Sequence, residues 1–295
     1  MTIPSAPSRP RVARTILLGA AGVLALAALG LGGAVALSSH RTEADIAGFA
    51  ERVAAIGARR PAPAWDAEAI AALPAPVQRY LAYVFPEPPP RSTLVRIEMK
   101  GAFRRPLTEG FAPTTAEQAI ATGEPALLFA ATTPIVPGVW ARAYDFYAEG
   151  RMEMKAKILS TLTVVDERET PALNQTSLRR WLLESPLYPM ALLPGGPVRW
   201  EPIDATRARA IVSADGLEAA LVATFDPQTG ALTRFDAEED GDLTTPYHGS
   251  GEHVSREDYR LVQGVRVPMG FTIARAAGGT LHPFWTGRVT RIAFE

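Results

Sequence analysis

The stretch Asn174–Pro194 reads NQTSLRRWLLESPLYPMALLP. It is the strongest helical segment in a region of short strand patterns. It carries Leu178, Trp181, Leu182, Leu183, Leu187, Tyr188, Met190, Leu192 and Leu193. That is more apolar bulk than one face of a surface helix needs, so the segment must be buried. Extended patterns lie on both sides of it, and the simplest burial is against the concave side of a curved sheet. Pro186 and Pro189 stop the regular helix near Glu184–Ser185, because a residue before proline avoids the helical region. The expectation is a central helix over 174–185. Leu187–Leu193 then becomes a separate irregular apolar segment, suited to act as a movable lid.

Working outward, the period changes to two. Val95, Ile97, Met99, Gly101 and Phe103 alternate with Arg96, Glu98, Lys100, Ala102 and Arg104. Met152, Met154, Ala156 and Ile158 alternate in the same way with Arg151, Glu153, Lys155 and Lys157. Both read as half-buried strands. Between them, 126–135 and 139–149 are apolar or aromatic on both faces. Trp140, Tyr144 and Phe146 share one face, and Ala141, Ala143 and Tyr147 the other. Such strands imply cover on both sides. After the helix, 198–203, 207–212, 217–225 and 231–238 are short strand patterns. Asp226-Pro227-Gln228-Thr229-Gly230 is a strong turn signal. Val265, Val267, Met269, Phe271 and Ile273 alternate again; Pro268 within that run marks an edge or a bulge. The closing strand is 284–294. About ten strands with close turns imply a mainly antiparallel sheet. The expected fold class is α+β: a curved half-barrel wrapped around a central helix.

The N-terminus sets the address. Residues 15–37, TILLGAAGVLALAALGLGGAVAL, run without a charge. A helix of that length rises roughly 34 Å, enough to cross a bilayer core. Arg9, Arg11 and Arg14 precede it, and His40, Arg41, Glu43 and Asp45 follow. The basic flank keeps 1–14 cytoplasmic and sends the rest outside. Ala34-Val35-Ala36 fits a signal-peptidase site, but the apolar run exceeds the roughly 7–15 residues of a signal peptide core, which favours an uncleaved anchor. The expected localisation is therefore the cell membrane, single-pass, with 38–295 extracytoplasmic. Residues 42–58 read as a juxtamembrane helix capped by Thr42. A second helical stretch begins at Asp66 and carries Val77, Tyr80, Leu81 and Val84 on one face. Pro86–Pro90 ends it. The expected organisation is a helical, Pro-rich stalk over 38–90 and a half-barrel domain over 91–295.

Composition excludes several chemistries. The chain has 30 Lys+Arg against 31 Asp+Glu, without the basic excess of a nucleic-acid binder. There is no cysteine, hence no disulfide, thiolate metal site or cysteine nucleophile. No phosphate-binding loop, GxGxxG or GxSxG occurs, and no cofactor is expected. His248 and His253 flank a glycine-rich connection but lack a metal-ligand pattern, and read as loop histidines. The acidic run Asp236–Asp242 lacks calcium-loop spacing and reads as a solvated strand end. Aromatic residues remain. Trp140, Tyr144, Trp181, Leu187, Tyr188, Trp200 and Trp285 fall in segments expected to face the interior. They are the candidate contacts of an apolar ligand. Glu184 and Glu201, if buried, need partners; Arg179, Arg180 and Arg199 are near them in sequence.

Several motifs resemble those of a bacterial family of unknown function. They are Leu73-Pro74-Ala75-Pro76-Val77-Gln78-Arg79-Tyr80-Leu81, Thr115-Ala116-Glu117-Gln118, Met152-Glu153-Met154-Lys155-Ala156-Lys157, Glu184-Ser185-Pro186-Leu187-Tyr188-Pro189-Met190-Ala191-Leu192-Leu193-Pro194 and Arg199-Trp200-Glu201-Pro202-Ile203-Asp204. Phe111-Ala112-Pro113-Thr114 departs from that pattern. The resemblance covers roughly residues 73–295 and implies no activity. The strand order is also similar to the half-barrel of the outer-membrane lipoprotein carriers. That likeness lies in the Asp226–Gly230 hairpin, the Gly264–Pro268 strand start and the closing Val289–Ile292 strand. It implies a curved sheet around helices with an apolar cavity for acyl chains. The expected function is a membrane-anchored extracytoplasmic binding protein for a lipid or acyl chain. The alternatives are an envelope enzyme using Glu184, Glu201 or His248/His253, and a structural or assembly protein of the envelope.

Overall fold

A computed structural model describes residues 10–89, 91–104, 109–241, 243 and 252–295, without the side chains of 10–17 and 20. Expectations for Arg9, Pro90, Asp242 and His248 lie outside the described residues. Thirteen strands form one sheet: β1 Leu94–Arg104, β2 Phe111–Ala121, β3 Leu127–Val136, β4 Val139–Ala148, β5 Arg151–Ile158, β6 Leu162–Arg168, β7 Val198–Pro202, β8 Arg207–Ala214, β9 Leu217–Phe225, β10 Leu232–Asp236, β11 Glu252–Val262, β12 Val265–Ala277 and β13 Thr280–Phe294. The order is β6-β5-β4-β3-β2-β1-β13-β12-β11-β10-β9-β8-β7, and every pairing is antiparallel. The sheet is therefore two meanders joined along β1 and β13, with β6 and β7 as free edges. The half-barrel expectation holds, with thirteen strands rather than about ten.

The chain passes from one edge to the other through α4, Pro171–Glu184, followed by two 3-10 turns, Ser185–Leu187 and Pro189–Leu192. Thr170 caps α4 by accepting from Leu173 N at 3.2 Å, and Pro171 fills the first turn, where no N–H is needed. Two successive residues then tie the sheet's arms together. Asn174 Oδ1 accepts from Met152 N on β5 at 2.9 Å, and Gln175 Nε2 donates to the Glu218 carbonyl on β9. Leu178, Trp181 and Leu182 are fully buried against the concave face. The segment Leu187–Leu193 is fully buried as well. It is a plug in the core and not a lid: Pro186 and Pro189 break the helix, and the resulting turns press Leu187, Tyr188, Met190 and Leu192 inward.

The N-terminal part differs most from expectation. One helix, α1, runs unbroken over Pro10–Arg59. Ser38, Ser39 and His40 are polar but do not break it, so the helix has no interruption at residue 38. Ile46, Val53 and Ile56 are buried on the convex side of β2–β4, beside Leu128, Tyr144 and Phe146. Phe49 stacks on Phe146 at 4.4 Å between centroids. Thr42 does not cap a helix; its hydroxyl is buried and accepts from Lys157 Nζ at 3.0 Å. After α2 (Ala67–Ala71, capped by Asp66), α3 (Ala75–Val84) buries Val77, Tyr80, Leu81 and Val84 in the main core. Residues 38–90, expected as a stalk, are thus part of the folded body through at least Phe85. The double-sided strands β3 and β4 have the two covers they imply, α4 with its cavity inside and α1 outside.

Local expectations carry through at two further points. Asp226 Oδ1 accepts from Gln228 N and Thr229 N, and Gly230 takes φ +82°. Pro268 lies where β12 pairs with β11 alone, since pairing with β13 starts at Gly270.

Candidate functional site

A cavity of about 570 Å³ lies between α4 and the inner faces of β1–β6 and β11–β13. The alternation read in the sequence builds its wall. Met152, Met154, Ala156 and Ile158 all line it, because even positions of β5 point inward. Opposite them, Ala131, Ala141 and Ala143 line it from β3 and β4. These small side chains leave the space: a sheet facing α4 with alanines cannot fill the gap. Trp285, Phe284 and Phe103 close the far side and pack edge to face, with centroids 6.0–6.4 Å apart from Phe103.

The helix side is polar. Leu173, Thr176, Ser177 and Arg180 recur at helical spacing along the stripe of α4 that borders the cavity. Arg180 pairs with Asp145 of β4, and its guanidinium lies 4.5 Å from the Phe129 ring centroid. Glu252 and Arg275 reach the same space from β11 and β12. Glu252 is buried, and its Oε2 has no hydrogen-bond partner among the described residues. Burial pushes its carboxyl above the usual range; Arg179, Arg180 and Arg275 oppose that, and Glu184 reinforces it. The chamber thus has an apolar floor and a charged, partly unsatisfied roof. At the other end of the molecule a second concavity of about 560 Å³ brings Arg59, Arg60 and Arg91 near Glu124 and Asp215.

The structure separates the candidate ligand contacts. Trp285 lines the cavity. Trp181, Leu187 and Tyr188 are core: the indole N–H donates to the Ala121 carbonyl at 3.0 Å, and the Tyr188 hydroxyl donates to the Trp181 carbonyl. Tyr144 faces α1, with its ring 5.4 Å from that of Phe49, and Trp140 shares that outer face of β4. Trp200 packs on Phe225 at 6.2 Å and donates to the Leu192 carbonyl. Sequence reasoning sought aromatic bulk, whereas the space itself comes from small inward side chains on β3 and β4. The inward alanines were visible, but close packing against a helix leaves the same signal.

The candidate catalytic groups do not converge. Glu184 is buried and bound to Arg256 at 2.8 Å. Glu201 is exposed beside Arg209, and His253 pairs with Asp236 at 2.6 Å. Among the described residues no three His, Asp or Glu side chains form a group that could hold a metal.

Fold and cavity define an open antiparallel half-barrel enclosing an apolar chamber beside an internal helix. The chain belongs to the family described as Family of unknown function (DUF6920), which matches residues 71–294. No curated protein matches it in sequence. Among solved structures it is similar to an outer membrane lipoprotein-sorting protein domain from Vibrio parahaemolyticus, at 6% identity and TM-score 0.38, over 75% of this chain and 89% of that one. It is also similar to a LolA superfamily protein from Nitrosomonas europaea, at 7% identity and TM-score 0.36, over 76% and 94%. A beta-barrel-like protein of a domain of unknown function from Brucella abortus follows at 10% identity and TM-score 0.21, over 68% and 98%.

Proposed function

We propose that this protein is a membrane-anchored, extracytoplasmic binding protein for a lipid or other acyl-bearing ligand held in the cavity beside α4. The cavity carries the reading. Its volume falls within the roughly 300–1,000 Å³ of small-molecule sites, and like them it combines apolar walls with a few convergent polar groups. Each methylene moved from water onto the alanine and methionine wall would contribute about 0.8 kcal/mol before the costs of binding. Arg180, Arg275 and the unpartnered Glu252 oxygen would meet a polar end. Among the described residues one helix, near the N-terminus, is long and apolar enough to span a bilayer, and its apolar stretch is not covered by the rest of the molecule. That supports the anchor, with the arginine flank toward the cytoplasm.

The test is ligand binding by the full chain. Native mass spectrometry of detergent-extracted protein should find a co-purified lipid, and a fluorescent fatty acid should bind. Ala143→Phe with Ala131→Phe fills the chamber from β4 and β3. The pair should weaken probe binding on the order of tenfold or more, the equivalent of about 1.4 kcal/mol or more. An empty wild-type protein that ignores a panel of lipids, or a filled variant that binds as before while melting normally, would sink the reading.

A further inference from the structure

Eight large apolar side chains are exposed beyond α1 among the described residues, and five of them share one end of the sheet. Phe111, Val136, Leu162, Val164 and Leu281 are each between 47% and 64% exposed. They stand at one end of the sheet: the start of β2, the β3–β4 hairpin, the start of β6 and the β12–β13 hairpin. Arg104, at the end of β1, lies over the Phe111 ring at 5.7 Å. Val164 also lines the cavity, as do Arg104 and Ile158 from the same end. The rim thus stands at the end of the chamber that Arg104, Ile158 and Val164 line. Clustered exposed apolar side chains mark an interaction surface.

The same end faces the apolar part of α1. Residues 21–34 of that helix are uncovered, and cover by the sheet begins at Val35, Ser38 and Ser39. Thr42 then takes Lys157 Nζ beside the β5–β6 turn, and Glu43 binds Arg142 at 2.7 Å. Further along, Arg52 and Arg59 meet Glu149 in the β4–β5 turn. Strand β4 thus runs along α1 in the same direction, with its start at the β3–β4 hairpin nearest the span. From Arg142 to Gly138 the strand covers roughly 13 Å, at about 3.3 Å per residue. From Glu43 to Leu37, where the apolar run ends, the helix covers only about 9 Å. The β3–β4 tip reaches the level at which the span begins, even with the strand inclined to the helix.

We infer that the rim of Phe111, Val136, Leu162 and Val164 docks into the bilayer that holds α1, so that the cavity opens onto lipid. This rests on reading α1 as a membrane span. The occupant of the rim is the membrane itself: α1 continues unbroken from the apolar run to its packing on the sheet, and the β3–β4 tip lies level with the end of that run. A ligand would then enter from the bilayer without crossing water, and the acyl portion would lead.

The chain has no cysteine, so single labels are unambiguous. Phe111→Cys, Leu162→Cys and Val136→Cys, with Leu261→Cys on the opposite end of the sheet and Leu26→Cys in the apolar run, would each carry an NBD fluorophore. The full chain would be reconstituted into phosphatidylcholine–phosphatidylglycerol vesicles with nitroxide lipids. Rim labels should be blue-shifted and quenched on the order of threefold more than the Leu261 site, as for side chains sunk ~5–10 Å into the interface. Quenching at Leu26 with rim labels as wet as Leu261 overturns the docking and leaves the anchor standing. No quenching at Leu26 overturns both.

Discussion

Glu252 shows what a single residue contributes to the chamber. It is buried beside α4, and one carboxylate oxygen lacks a partner among the described residues. Desolvation raises its pKa in the folded state against the pull of Arg179, Arg180 and Arg275, with Glu184 adding to the rise. The folded protein then binds a proton that the unfolded chain has already released. The stability from this group is fully present below the ordinary carboxyl range and is lost as pH rises through the raised value. Glu252→Gln should therefore raise Tm relative to wild type at about pH 8, with the difference disappearing near pH 4. Thermal melts of both proteins across that range check it; a Tm difference that does not change with pH would show that Glu252 ionises normally in the fold. In the sequence this residue is only part of the glycine-rich connection before His253, because the partners that surround it come from α4 and β12. By contrast, the need of Glu184 for a partner was legible, but the partner is Arg256, 72 positions away, and not a neighbouring arginine. Local spacing announces a demand, and only topology supplies the answer.

Among the elements, the β1–β13 seam carries the most weight, since it joins the two meanders. Gly101 and Gly287 face each other across it. A Cβ at Gly101 would overlap the Thr286 carbonyl oxygen and lie 2.7 Å from Gly287 Cα; one at Gly287 would sit 3.0 Å from the Phe271 ring. The backbones approach this closely because neither residue has a side chain, and the sheet can curve there. Gly101→Val should cost at least the roughly 1–3 kcal/mol of overpacking, read as a lower urea midpoint. The solvent-facing Lys100→Val on the same strand should change it little. If both variants unfold alike, the seam is not under steric constraint. The strands themselves were legible wherever one face is solvated: the alternations of β1 and β5 fix which side chains point inward, and those side chains line the core and the cavity. The reading of 187–193 as a lid failed on a different ground. Prolines reveal that a helix stops, but a stretch of leucines after them looks the same whether it moves over a cavity or fills the core.

For the whole molecule, α1 has two consecutive roles in one helix. Its first part is the apolar run, and its second is a structural layer on the convex side of β2–β4. The sequence implied a second cover for β3 and β4 without identifying it, because the apolar run ends at Leu37 and 42–58 read as a separate juxtamembrane helix. Amphipathic spacing at Ile46, Phe49, Val53 and Ile56 was the available signal. Burying Ile46, Val53 and Ile56 stabilises by roughly 1.5–3 kcal/mol each, a sum comparable with the ~5–15 kcal/mol that holds a typical domain together. Glu43 and Glu117 further clamp Arg142, which is nearly buried between helix and sheet. A chain of residues 38–295, without the apolar run, should therefore fold as a monomer with a single cooperative melt. A chain of residues 61–295 would expose Leu128, Tyr144 and Phe146 to water and should aggregate or melt far lower. Size-exclusion chromatography and circular dichroism of the two would decide it. If 61–295 stays monomeric and melts within a few degrees of 38–295, the layer is dispensable and α1 is only a tether. If it collapses, the tether cannot be released without unfolding the sheet. The distance from the apolar run to the chamber is then set by the fold itself.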